Sequence, residues 1–457
     1  MPTHLERSIG LWGGLGVMMG IIIGGGIFAT PAAIADHLAS PALILALWAV
    51  GGLLALFGAL TYAELAAMHP ESGGVYIFLR EGFGRCVAFT FGWSYLLLTK
   101  PLGAAALAMI FADHFVPLAG LPRPSPDTPA HLNAEVWTTI ALLTLLTIIN
   151  VRGVRLGAAV AVALTSFKYL VLLGIILLAL LLQRGDAGNF APTPAPGPLA
   201  PALVPVMAAI LWTYDGWSDF AAVAGEVKDP GRSLSRIYFL GIAAVIAAYL
   251  AINAVYIWIV PLPDMRPHDT IAPLVVHRLL GPESAVVVTI IILLSVLGSS
   301  HGSVLTGARV SYAQAQDGLL FRALAHVHPR YHTPDVSLWV QLALSIAAVW
   351  RLKTFEALAG GFVFTMWIFY GLAAGAIFVL RARRPDAPRP YRCWGYPIVP
   401  ALFVLAAAGM TALSIWEDLA NPDSRGMRTL PWLAVLAAGA PAYWLWTRVQ
   451  SSARTSR

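Results

Sequence analysis

The feature that most constrains this chain is a succession of apolar runs, each close to the ~20 residues a helix needs to cross a hydrocarbon core. Twelve are read, at roughly 11–36, 41–68, 86–112, 135–151, 157–182, 202–224, 237–260, 284–305, 335–350, 355–380, 398–416 and 430–448. They are continuous and do not alternate with period two, so they predict helices and not a barrel. The expected fold class is all-α: a polytopic membrane protein of about 12 transmembrane helices, forming a single transmembrane domain over residues 1–457. Composition agrees. Only 11% of residues are charged and 58% are hydrophobic, against roughly 25% charged in soluble domains. That excludes a soluble globular domain, and the hydrophobicity excludes disorder. The first run ends in Asp36-His37 and lacks a small-x-small cleavage pattern, so it is not a removable signal peptide. The two cysteines, Cys86 and Cys393, cannot build a disulfide framework, and no spacing suggests zinc, so neither metal nor cofactor is expected.

Lys and Arg in the loops set the orientation. With the N-terminus in the cytoplasm, the inner segments hold 19 of the 29 basic residues and the outer segments 8, while Lys100 and Lys168 fall inside spans. The imbalance predicts both termini inside. It also accounts for the net charge of +6 as a cytoplasmic face near anionic headgroups, with no need of nucleic acid. The loops are too short for a soluble domain. Residues 121–134 and 183–201 read as Pro-rich external connectors, and 261–283 as holding a short helix over the external mouth. Residues 306–334 read as a cytoplasmic loop with a short helix of its own, and 381–397 as a basic, Pro-rich cytoplasmic connector.

Two spans carry a break at mid-depth. The first reads Ile22-Ile23-Gly24-Gly25-Gly26-Ile27, and each glycine costs up to about 1 kcal/mol relative to alanine inside a helix. Lipid cannot satisfy the freed backbone groups, so the opened stretch must face a cavity or other protein. Free N–H groups at a half-helix start suit a carboxylate, and free carbonyls at the facing end suit an ammonium. Close packing through small residues is the competing reading of these glycines. The sixth span repeats the pattern in Trp212-Thr213-Tyr214-Asp215-Gly216-Trp217-Ser218-Asp219, for which an aqueous loop end is the competing reading. Broken helices one and six stand five apart, as an inverted five-plus-five repeat requires (11–182 and 202–380), leaving two additional helices over 398–448.

Four motifs, in order and spacing, carry a resemblance that covers about residues 8–400. They are Gly24-Gly25-Gly26-Ile27-Phe28; Tyr62-Ala63-Glu64-Leu65 followed by Pro70-Glu71-Ser72-Gly73-Gly74-Val75-Tyr76 and Glu81-Gly82-Phe83-Gly84; Trp212 to Trp217 followed by Gly225-Glu226-Val227-Lys228-Asp229-Pro230; and Pro388-Arg389-Pro390-Tyr391-Arg392 ending in Gly395-Tyr396-Pro397. The chain resembles the amino acid–polyamine–organocation superfamily, and within it the L-type amino acid transporters and their bacterial relatives, the neutral amino acid and serine/threonine exchangers. It departs from them in having Gly25 where the family often has serine, and Asp215 where eukaryotic relatives often have glycine.

The resemblance implies a LeuT-like permease of a bacterial inner membrane, working by alternating access without covalent chemistry. It implies that Gly25 and Gly26 present amides to a substrate carboxylate, with Gly24 in the same binding set. Ile22, Trp212 and Asp215 would present carbonyls to its ammonium, with Tyr214 and Gly216 in the same binding set and Trp212 as an aromatic gate. It implies that Lys168 places an ammonium where relatives outside this branch bind sodium, hence sodium-independent transport with proton coupling as a possible addition; a lysine snorkelling to the interface is the competing reading. Glu64 and Glu226 read as cytoplasmic-gate residues bridged to loop arginines. Lys100, beside Pro101, is left open between lining the pathway and lying at an interface. His301 is left open between facing the site and packing. No external cysteine is available to tether a single-span partner, so none is expected.

The function expected is transport of neutral L-amino acids, by exchange or proton-coupled uptake. The alternatives are a cationic amino acid or polyamine carrier of the same fold, in which Asp215 or Asp219 would counter a substrate cation, a channel, or a membrane-embedded enzyme. Against an enzyme, no GxSxG or HExxH is present. A channel would show a symmetric pore ring, which two dissimilar broken helices do not make.

Overall fold

The structure is a computed structural model that describes residues 5–122, 128–194, 197–268, 270–281, 284–353, 358, 363–420 and 429–455. Arg123, Arg425, Arg428 and Arg457 of the charge balance, and most of 355–362 at the start of the tenth apolar run, lie outside them. Among the described residues there is no strand, only a parallel backbone bridge between Ile9 and Val227. The helices are α1 (Leu11–Ile22), α2 (Gly26–Ala35), α3 (Pro41–Met68), α4 (Val75–Phe83), α5 (Arg85–Ser94), α6 (Lys100–Leu118), α7 (Ala134–Val151), α8 (Val154–Leu182) and α9 (Leu199–Thr213). They continue as α10 (Pro230–Ile259), α11 (Leu262–Met265), α12 (Ala272–Leu280), α13 (Ala285–Gln316), α14 (Asp335–Leu352), α15 (Val363–Arg383), α16 (Ile398–Ala420), α17 (Thr429–Ala437) and α18 (Gly439–Thr455).

Ten of the twelve apolar runs form helices long and apolar enough to cross a membrane among the described residues. The other two differ for a physical reason. The sixth run is divided into α9 and a 3-10 segment, Ser218–Glu226, so neither piece is long enough alone. The twelfth is divided at Ala438 into α17 and α18. Two loop expectations also change. Residues 306–316 continue α13, which brings Arg309 into the protein interior. Residues 75–83, expected only as a link, form α4.

The outer surface is that of a protein dissolved in lipid. Leu170, Leu173, Leu177 and Leu181 stand exposed at three- and four-residue spacings along α8, an apolar stripe far beyond what water tolerates. The interior is polarised into two apolar cores. One joins α6, α7, α13 and α14 through residues such as Leu102, Met109, Leu143, Leu146, Leu338 and Val349. The larger one gathers α1, α2, α3, α9, α10 and the 3-10 segment, with α13 and α15 also contributing. The two cores face each other across the breaks.

One polar clamp fixes the connector between α15 and α16. The Glu64 carboxylate, fully buried on α3, accepts from Arg381 Nε at 3.0 Å and Nη2 at 2.6 Å and from the Cys393 amide at 2.6 Å. Arg389 Nε lies 3.4 Å away, and the Arg381 guanidinium stacks 3.7 Å from the Tyr396 ring centroid. All these partners belong to α15 and the connector. Glu64 thus ties α3 to that connector, through the bridge to its arginines that the sequence predicts. Removing one partner of such a buried group costs about 3–5 kcal/mol. Glu64→Ala is therefore expected to lower the apparent melting temperature of the detergent-purified protein clearly, whereas Glu71→Ala, with its half-exposed side chain, should not.

Candidate substrate site

The first break forms where the sequence places it. α1 ends at Ile22, the backbone turns through Ile23, Gly24 and Gly25, and α2 begins at Gly26. Phe28 is the first amide to bond back, to Gly25 O at 3.1 Å. Among the described residues, the amides of Gly25, Gly26 and Ile27 have no protein acceptor, as at any helix N-terminus. They sit at the positive end of the α2 dipole.

The carbonyl end of α1 is held by a cation. The Lys168 ammonium, buried on α8, donates to Gly20 O at 2.8 Å, to Ile23 O, and to Ser299 Oγ of α13 at 3.1 Å. Its three N–H donors match these three acceptors. A bare ion at this depth would cost at least about 3 kcal/mol, and these bonds offset that cost while fixing the broken end. Lys168 is therefore not snorkelling to the interface. Ser299 Oγ lies 3.1 Å from both Gly20 O and Ile23 O.

The second break follows Thr213. Gly216 adopts φ +113°, a conformation that L side chains rarely take. An added Cβ there would lie 2.6 Å from Ile21 Cγ2 and 3.2 Å from the Ile21 and Ile22 backbone, so the two breaks are packed backbone to backbone. The Tyr249 hydroxyl of α10 joins them, lying 3.0 Å from Ile22 O and 3.1 Å from Thr213 O. Its single proton serves one carbonyl at a time, and each carbonyl keeps a lone pair for another donor. Thr30 and Thr213 add a hydroxyl contact of 2.7 Å between α2 and α9.

The side of the site opposite the breaks comes from α6 and α13. Residues Tyr95–Thr99 form a π turn between α5 and α6, closed by the Lys100 amide bonding to Tyr95 O. Along an ordinary helix, residues five apart point ~140° from each other. The wider turn brings them to nearly one face, a distortion found often at functional sites. Tyr95 and Lys100 consequently both reach Asp219 of the 3-10 segment, Lys100 through an ion pair and Tyr95 Oη at 3.3 Å. The Asp215 carboxylate accepts from the Tyr370 hydroxyl of α15 at 3.0 Å.

These groups enclose a cavity of about 100 Å³. At the ~30 Å³ that a water takes up in the liquid, this is the volume of about three waters. Of the expected residues, Ile22, Gly24, Gly25, Gly26, Trp212, Asp215 and Gly216 line it. Lys100 lines it too, which decides its open reading. Tyr214 does not: its ring packs in a buried aromatic group with Trp48 and Tyr249, whose centroids lie 5.7 and 5.0 Å away. Glu226 lies outside the cavity, fully buried against Arg309, with Nε at 2.8 Å and Nη2 at 3.3 Å. Its partner lies on α13, not in a loop. His301 takes its packing reading, with Nε2 2.8 Å from Gly157 O and Nδ1 3.4 Å from Asn150. Nothing in the sequence marks Tyr249, Tyr370 and Tyr95, because tyrosines in apolar helices carry no periodic signal.

The protein is thus multi-pass and helical, with two half-helix breaks meeting at one cavity. The profile of the amino acid permease family matches residues 9–438. The chain belongs to that family. It is 29% identical over 446 residues to the cystine/glutamate transporter of Homo sapiens, covering 97% of this chain and 86% of the relative. It is 29% identical over 427 residues to the human b(0,+)-type amino acid transporter 1, covering 91% and 85%. It is 30% identical over 449 residues to the human large neutral amino acids transporter small subunit 2, covering 96% and 80%. The family and these relatives are transporters, which removes the membrane-enzyme alternative.

Gly216→Ala tests the contact between the breaks. The methyl group would have to push into the α1 backbone in a disfavoured conformation, so amino-acid uptake in proteoliposomes should fall to near background. Gly174→Ala on α8, where an added Cβ meets nothing within 4 Å, should leave uptake unchanged.

Proposed function

We propose that this member of the amino acid permease family carries neutral L-amino acids without sodium, by alternating access around the two breaks. The single observation supporting this most is the cavity between the α2 amides and the carbonyl ends of α1 and α9, behind which the Lys168 ammonium is already seated on the α1 end. The amides of Gly25 and Gly26 would take the substrate carboxylate. The carbonyls near Ile22 and Trp212 would take its ammonium, with the Trp212 ring as a gate over Gly26, from whose ideal Cβ position it lies 3.2 Å. A zwitterion needs no buried counter-charge at such a site. Lys168 supplies a fixed cation that bridges α8, α1 and α13, so no sodium ion is required there. Exchange or proton-coupled uptake would then drive the cycle.

In this reading 11–182 and 202–380 are the inverted repeats and 398–448 the two added helices. The N-terminal face is cytoplasmic in a bacterial plasma membrane, with both termini inside. The cavity lies between α6 on one side and α1 and α9 on the other, and these are natural moving parts. The Glu226–Arg309 pair would close the cytoplasmic side. One relative, the human large neutral amino acids transporter small subunit 2, is by name a small subunit. For this chain we expect no disulfide-tethered partner, because Cys393 is buried in the α15–α16 connector and Cys86 starts α5 near the same face.

Purified protein in proteoliposomes tests this. Labelled alanine or serine uptake should be stimulated by the same amino acid inside and should be equal in sodium and choline media. A requirement for a sodium gradient would overturn the reading of Lys168. Lys168→Ala should reduce uptake to near background, while normal uptake would show that the α1 end needs no cation.

One observation favours a second reading, a carrier of cationic side chains: among the described residues Asp215 lines the cavity without an ion pair. Asp215→Asn distinguishes the two. Neutral uptake should stay measurable in that variant if the side chain is uncharged, and lysine or arginine uptake should be lost if the carboxylate meets a cation.

A further inference from the structure

The α-amino and α-carboxylate groups of an amino acid find their partners in the broken backbone, so the Lys100–Asp219 pair is surplus to zwitterion binding. Both side chains nevertheless line the cavity and are nearly desolvated, at 9% and 12% exposure. What remains of an amino acid to meet them is its side chain. A lone lysine at this depth would be costly and would recruit an anionic side chain. Here its partner is instead a carboxylate of the chain itself, with its two oxygens divided between Lys100 and Tyr95 of the opposite wall. A tethered group of this kind competes at an effective concentration in at least the millimolar range.

We propose that Asp219 is a specificity-determining residue that stands in for a substrate side-chain carboxylate: it occupies the cationic lobe made by Lys100 and Tyr95, and so excludes acidic amino acids from a site otherwise able to take them. The proposal rests on the neutral-substrate reading and deepens it. Selectivity by this device comes from repulsion as well as from attraction, since an acidic side chain would meet Asp219 before it met an available lysine. The α6 backbone supports it, because the π turn aims both Tyr95 and Lys100 at one carboxylate.

The test is competition against labelled neutral amino acid uptake in proteoliposomes. Excess glutamate or aspartate should compete poorly with wild-type uptake. In Asp219→Asn, half-inhibition by one of them should need at least about tenfold less competitor, given the cost of like charges at close range. Adding Lys100→Met to that variant should remove the gain. In a separate arm, Lys100→Met alone strands Asp219 facing the cavity, and lysine or ornithine should then compete at least about tenfold better than with wild type. This second arm decides the matter if Asp219→Asn does not fold. Strong glutamate competition already in wild type would overturn the proposal, as would no gain in Asp219→Asn, a gain that survives Lys100→Met, or no cationic gain in Lys100→Met. Wild-type protein that moves no neutral amino acid would count against the proposed function instead, so the two failures are separable.

Discussion

Everything in this molecule follows from backbone groups left open where no water can reach them. Breaking a helix at mid-depth frees carbonyls and amides that lipid will not satisfy, and the chain answers with specific donors. Lys168 and Ser299 serve the end of α1, and the Tyr249 hydroxyl serves both α1 and α9. The amides at the start of α2 are left facing the cavity. Helices that would otherwise only pack side by side, α8, α10 and α13, are thereby tied to the breaks by hydrogen bonds whose loss would leave polar atoms stranded.

The polar contacts also sort by which core they join. Lys100 with Asp219, and Arg309 with Glu226, each link the α6–α13 side to the 3-10 segment after the second break. On the N-terminal face, Asp317 at the end of α13 accepts from the Tyr76 hydroxyl and from Arg80 Nη1, both at 2.7 Å, on α4. The Ile9–Val227 bridge holds the segment before α1 to the end of the second broken helix. The chain thus holds its broken helices with directional bonds both within the larger core and across to α6.

Much of this was legible in the sequence because the signals are chemical exceptions. Three adjacent glycines, an aspartate and glycine inside an apolar run, and a lysine in the middle of a span each contradict what a lipid-embedded helix wants. Each of these stretches lies at the cavity or against the breaks. What stayed hidden obeys no exception. Tyr249 and Tyr370 look like ordinary core aromatics, and their value lies in a hydroxyl aimed at a carbonyl or carboxylate that only the fold brings near. The pairing of Lys100 with Asp219 spans 119 positions and depends on a local winding that residue types do not announce. The bridge from Glu64 to loop arginines was legible, but not that Arg381 and Arg389 both fold back upon it. Tyr214 was misjudged because adjacency to a break does not say which way a ring points.

The winding between Tyr95 and Thr99 has a consequence for how the segment tolerates a change of length. A π turn holds one residue more than an α turn. Take one residue out of this stretch and the tyrosine and the lysine stand four apart on an ordinary helix, about 40° from each other, so the ammonium still meets Asp219. Put one in, with no second widening to absorb it, and everything beyond rotates by about 100°, carrying the ammonium toward a neighbouring wall or the acyl chains. The segment can shorten by one residue but not lengthen.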